Sequence, residues 1–158
     1  MLLRVPFEPW HLECLNVRPE QQATVDFGEG MFGSLENYGN AFLMNAAYDD
    51  GDPCAWTGLH QGKPIICAGV FHIAPHIGEA WSVISSDLTQ LNKSVIIRFV
   101  KEVKAGLDRL EYKRIQANTE ESFIEARRFL EFLGFKEEGI MRAYSPDGQD
   151  SVMYGRVQ

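Results

Sequence analysis

The chain is poor in cysteine, in basic charge and in long apolar runs, and each shortage removes a class of protein. Its three cysteines, Cys14, Cys54 and Cys67, are odd in number and include no Cys-x-x-Cys pair. That argues against a disulfide framework or a structural zinc site and points to a reducing, cytoplasmic setting. Fifteen Lys plus Arg stand against 22 Asp plus Glu, a formal charge of −7. A surface of that sign repels phosphate backbones and anionic headgroups, so neither nucleic acid nor a membrane is an expected partner. The longest apolar run, Ile65 to Phe71, falls far short of the roughly 20 residues that span a bilayer. Met1 to Trp10 is broken by Arg4, Pro6, Glu8 and Pro9, which leaves no core for an export signal. There is no internal repeat and no low-complexity tract.

What is present suits one globular domain over residues 1–158, with 45% hydrophobic and 23% charged residues. Trp10 to Val17 alternates as a first strand, and Arg18-Pro19-Glu20 opens a helix with proline where its missing N–H costs nothing. Asp26 to Gly39 carries four glycines and reads as a loop, followed by a helix from Leu35 or Glu36 to Tyr48. Cys54 to His60, Pro64 to Ile73 and Gly78 to Ser85 form an antiparallel meander punctuated by Gly and Pro. Asp87 and Gln90 have capping-box spacing, and Val95, Ile96, Phe99, Val100, Val103, Leu107 and Leu110 trace the apolar stripe of a long helix. Arg114 to Asn118 is a short strand. Asn118 is a candidate cap for a last helix, which ends at Leu133-Gly134-Phe135. Phe135 to Tyr144 and Asp150 to Val157 make a hairpin around Ser145-Pro146-Asp147-Gly148. The order is β-α-α-β-β-β-α-β-α-β-β, an α/β domain with a mixed, mostly antiparallel sheet flanked by helices.

This order, the Gly-Phe that closes the last helix and the terminal hairpin resemble the GNAT superfamily of acyl-CoA N-acyltransferases. The most specific stretch runs from Arg114-Ile115-Gln116-Ala117-Asn118 through Ala126, Leu133-Gly134-Phe135 and Glu137-Glu138-Gly139 to Tyr144, Asp150 and Tyr154. With Gly78-Glu79-Ala80-Trp81 it looks most like divergent GNAT-like proteins of bacteriophages. The resemblance implies transfer of an acetyl group from acetyl-CoA to a small-molecule or peptide amine, without a metal. It also implies that the pantetheine arm pairs with splayed strand backbone at Val83, Ile84 and Ser85. The pyrophosphate would then sit at the start of the long helix on Lys93 and Ser94, beside Asn92.

The sequence departs from the family pattern at three points. No glycine loop stands between Ser85 and Ser94, where Asp87 brings a negative charge. Phe123 replaces the usual Asn, and Leu130 the usual Tyr. These losses keep an alternative open, a catalytically silent GNAT-fold phage protein serving as a virion component or a binder of a host protein.

Acetyl transfer needs a base, because an ammonium has no lone pair. Glu79, at the start of the splayed strand with Trp81 on the same alternating face, is the candidate base, and Tyr144 the substitute proton donor. His72 and His76 flank the same turn, but Pro75 between them denies the helix on which a four-residue spacing would bind a metal. Gly28-Glu29-Gly30-Met31-Phe32-Gly33 spells a dinucleotide fingerprint without the preceding buried strand that such a motif needs. It reads instead as a flexible loop bordering the acceptor site. Cys67, midway along an apolar strand, reads as an inert buried thiol. The acidic balance favours a basic acceptor such as a polyamine, an aminoglycoside-like compound or a lysine-rich protein.

Overall fold

The computed structural model describes residues 1–158. It opens with strand β1 (Leu3–Pro6) and a 3-10 turn over Pro9–Cys14, where the sequence predicts a strand from Trp10 to Val17. The difference has a local cause. His11 and Leu12 are neighbours and both are buried, which a strand of period two cannot achieve. Pro9 suits a helical first position, and the Glu8 N–H donates to His11 Nδ1 at 3.1 Å in a reciprocal cap.

Helix α1 (Pro19–Phe32) runs through the glycines that suggest a loop. It stops at Gly33, whose φ of 90° is left-handed, and Ser34 then caps helix α2 (Leu35–Met44) by accepting from the Asn37 N–H at 3.0 Å. Gly28 is not there for flexibility. It faces α2, and a Cβ at that position would overlap the ring of Tyr38. The fingerprint-like run is therefore the last turns of a helix and its cap.

A two-rung hairpin, β2 (Tyr48–Asp49) with β3 (Asp52–Pro53), leads into the expected meander β4 (Ala55–His60), β5 (Lys63–Ala74) and β6 (Ile77–Ile84). After β6 the chain makes a 3-10 turn at Ser86–Gln90, and helix α3 (Lys93–Arg109) starts six residues beyond Asp87, capped by Asn92. Strand β7 (Arg114–Glu120) absorbs Asn118, which pairs with Met153 and caps nothing. Helix α4 (Ile124–Phe132) begins after Phe123, which lends it no side-chain cap. Gly134, at φ 95°, turns the chain into β8 (Lys136–Met141), which returns as β9 (Ser151–Val157).

Seven strands make one sheet in the order β1-β4-β5-β6-β7-β9-β8, with β2 and β3 apart. Every neighbouring pair is antiparallel except β6 and β7. Helices α3 and α4 cover one face, where Phe99 and Leu107 pack with Ile115, Val152 and Tyr154. Full burial of each such side chain contributes about 1.5–3 kcal/mol. Helices α1 and α2 cover the other face over Phe7, Leu12, Val25, Phe42 and Val83. Trp81 of β6 joins this second core, with ring centroids 4.4 Å from Phe42 and 5.6 Å from Phe7. No helix is long and apolar enough to cross a membrane.

Candidate functional site

Strands β6 and β7 hold together by three rungs only, Ile77 with Arg114, Gly78 with Ile115 and Glu79 with Gln116. Beyond Glu79 they diverge, and small side chains at Ala80, Ser82, Ala117 and Ala126 leave the gap open as part of a cavity of about 530 Å³. Leu130 of α4 lines the same cavity and brings no hydroxyl to it. Phe123, another of the three departures from the family pattern, is 1% exposed.

Glu79 lies at the vertex of the opening, on the α1/α2 face with Trp81. Gln116 Nε2 donates to Glu79 Oε1 at 3.3 Å, and Gln116 Oε1 accepts from Arg114 Nε at 3.1 Å. The Arg114 guanidinium in turn donates to both oxygens of Glu138, at 2.9 and 2.6 Å. Because Arg114 can only donate, it fixes which end of the Gln116 amide faces the carboxylate. The pair passes over Gly155 of β9, where a Cβ would overlap the Glu138 carboxylate. Arg114 holds the Glu138 carboxyl below its ordinary range. The sequence offered Glu79 as a candidate but not this relay, because its members are brought together by strand register alone.

Antiparallel pairing makes backbone groups alternate in direction, and here that sorts the expected cofactor contacts. Val83 pairs with Cys67, and the Ser85 N–H donates to Ile65 C=O at 2.8 Å, so both turn toward β5. Of the three, only Ile84 presents its polar groups to the opening, together with Ser82, which the sequence did not single out. These groups already have partners. The Ile84 N–H donates to Gln21 Oε1 and Gln21 Nε2 donates to Ser82 C=O, each at 2.8 Å. The Arg18 N–H donates to Ile84 C=O at 3.0 Å, and the Ser86 N–H to Asn16 C=O at 2.8 Å. The Arg18 guanidinium reaches across to the other lip, 5.0 Å above the Phe123 ring centroid and 3.5 Å from Glu125.

Lys93 and Ser94 open α3, exposed as a phosphate contact requires. Asn92 Oδ1 accepts from both the Ser94 N–H and its hydroxyl at 3.1 Å, so one helix-end donor is already used. Asp87 pairs with Lys63 at 2.9 Å, and that ammonium holds its carboxyl below the usual range. Tyr144 is 57% exposed past the Met141–Ser151 rung. Ser151 is level with Glu120 and Glu79 with Gln116, four residues or about 13 Å apart along the strands, so the fold does not bring Tyr144 to Glu79. His72 Nδ1 meets the Tyr112 hydroxyl at 2.7 Å, outside the opening. Cys67 is fully buried, and burial pushes its thiol up to about 12. The Trp81 indole N–H is buried without a partner, close above Gly69.

A mixed sheet that splays at its single parallel pair, flanked by two helices on each face, is the fold of the GNAT acetyltransferases, and solved structures of that family superpose on nearly the whole chain. A GNAT-family acetyltransferase from Bacillus anthracis matches at 18% identity, covering 99% of this chain and 94% of its own, with a TM-score of 0.63. One from Elizabethkingia anophelis with acetyl-CoA bound matches at 12% identity, covering 99% and 98%, with a TM-score of 0.65. A Bacillus subtilis acetyltransferase in complex with CoA matches at 12% identity, covering 100% and 99%, with a TM-score of 0.67. No family sequence model matches the chain, and no curated protein sequence matches it.

Proposed function

We propose that the chain is a cytoplasmic N-acetyltransferase that moves an acetyl group from acetyl-CoA to a basic amine, either a small molecule or a peptide. The observation that carries this reading is Glu79 on the last rung before β6 and β7 diverge, its carboxylate oriented by the Gln116 amide. The opening suits the cofactor in two respects. The Ser82 C=O and Ile84 N–H, held by the Gln21 carboxamide in this structure, are an acceptor and a donor spaced for an extended amide, and Lys93 and Ser94 stand exposed where a helix N-terminus favours an anion. Acetyl-CoA bound there supplies an activated acetyl group as a thioester.

Glu79 takes the proton of the acceptor ammonium on the α1/α2 face, freeing the nitrogen lone pair. Gln116 keeps the carboxylate aimed while this happens. The freed amine would attack the thioester carbonyl, the C–N bond forming as the C–S bond breaks, and solvent in the opening would protonate the departing thiolate, since Tyr144 stands exposed about 13 Å along the strands from Glu79.

A second reading is a GNAT-fold protein without chemistry, serving a phage particle or binding a host protein. It is favoured by Asp87 before α3 and by the backbone edge of β6 being already paired. Calorimetric titration of cofactor-free protein with acetyl-CoA and CoA separates the two. The first requires micromolar binding, and no heat up to millimolar ligand refutes it. With an accepted amine in hand, Glu79→Gln loses about 10²–10⁴ in rate with stability nearly unchanged.

A further inference from the structure

The β7-facing edge of β6 is filled by the chain itself. Asn16 and Arg18 pair with Ser86 and Ile84 as a short antiparallel strap, with a bridge between Val17 and Ser85. Gln21, two residues into α1, lays its carboxamide flat against the next rung. A carboxamide carries one C=O and N–H donors in a plane, as a peptide group does, so it satisfies Ile84 N–H and Ser82 C=O together. The Arg18 side chain, over Phe123 and beside Glu125, ties the strap to the α4 lip.

We infer that the Gln21 carboxamide is an internal occupant of the cofactor slot, so that the resting chain is self-occluded and Gln21 sets its affinity for CoA. The inference rests on the acetyltransferase reading. An extended amide of the cofactor arm can pair with Ser82 and Ile84 only after Gln21 swings out. Gln21 sits half-buried in the first turn of α1 and only its side chain touches the edge, so rotation of that side chain releases the edge without unfolding α1. The exchange trades two hydrogen bonds for two, so the cofactor binds against an internal competitor. Removing Gln21 removes the competitor and leaves the Ile84 N–H and the Ser82 C=O without a protein partner until the cofactor arrives, which strengthens binding by about tenfold.

The test compares wild type, Gln21→Ala and Gln21→Met by CoA calorimetry and by amide hydrogen exchange at Ile84. Gln21→Met keeps the chain length without the hydrogen bonds and serves in case Gln21→Ala fails to fold. Expected is CoA binding about tenfold tighter in the variants than in wild type. Ile84 exchange should be faster in the cofactor-free variants and slow again when CoA saturates. Equal CoA affinity across the three proteins overturns the self-occlusion and leaves the acetyltransferase reading standing. Unchanged Ile84 exchange in the variants overturns the Gln21 contact itself. No CoA binding to any of the three, with Ile84 exchange responding to substitution, overturns the acetyltransferase reading and the competition together.

Discussion

Gly28 and Gly30 lie two residues apart in α1, and replacing each by alanine should move stability in opposite directions. At Gly30 nothing lies within 4 Å of the point a Cβ would occupy, so alanine there gains only helix propensity, about 0.8–1 kcal/mol. At Gly28 the same gain is set against overlap with the Tyr38 ring. That ring cannot withdraw freely, since it stacks on Phe32 at 5.8 Å and meets Phe42 edge-on at 4.5 Å. Overpacking of this kind costs about 1–3 kcal/mol, which exceeds the propensity gain over most of its range. For a chain of this size each kcal/mol moves the melting temperature by about 2–4 °C. Gly30→Ala should therefore melt a few degrees above wild type and Gly28→Ala below it. Differential scanning calorimetry, with urea unfolding to check that m-values agree, reads the contrast directly. Two equal rises would mean that Tyr38 does not lie on Gly28. Two falls would mean that this stretch is the flexible loop its glycines suggest and not a helix.

Three further outcomes follow from the packing. Burial lowers the pKa of His11 from its ordinary 6.5. As pH falls below that value the unfolded chain takes up a proton that the folded chain refuses, so the urea midpoint should decline through this range and the decline should flatten in His11→Gln. Thiol titration should find Cys14 reactive and Cys67, fully buried with its thiol pushed up to about 12, silent until the protein is unfolded; early loss of the Cys67 thiol would refute its placement. Glu138→Gln should leave the fold intact, because its bridge to Arg114 is partly exposed, and under the proposed acetyltransferase function it should lower turnover through misorientation of Gln116; full activity in that variant would separate Glu79 from the relay.

Much of the fold was legible because it is written locally. The stripe of α3, the Gln61-Gly62 turn with both φ values positive, and Gly134 at its left-handed position each announce an element from a few neighbouring residues. The structure departs from those local signals where tertiary packing overrides them. Glycines that lower helix propensity in α1 are kept for the approach of Tyr38, and the alternation of Trp10 to Val17 gives way because His11 and Leu12 both turn inward. At the site, Glu79 could be singled out as a candidate from its place before Trp81 on an alternating strand. Gln21 could not, since its partners lie 61 and 63 residues away and no spacing rule links a helix side chain to distant strand backbone.

The three-rung seam between β6 and β7 also divides the molecule. On one side β4, β5 and β6 are joined in sequence by tight turns, with β1 added at the edge; on the other, β7, β9 and β8 come from one contiguous stretch. Each block closes mainly short loops as it pairs, whereas the seam forms only after α3 has carried the chain from one block to the other, the kind of non-local step that slows folding. The seam is also parallel and short, so it is where the two blocks would part first under native-state exchange. A chain cut between Arg109 and Arg114 would leave two segments that each keep their own strand pairings, and their reassembly would report on this seam together with the packing of α3 against β7 and β9.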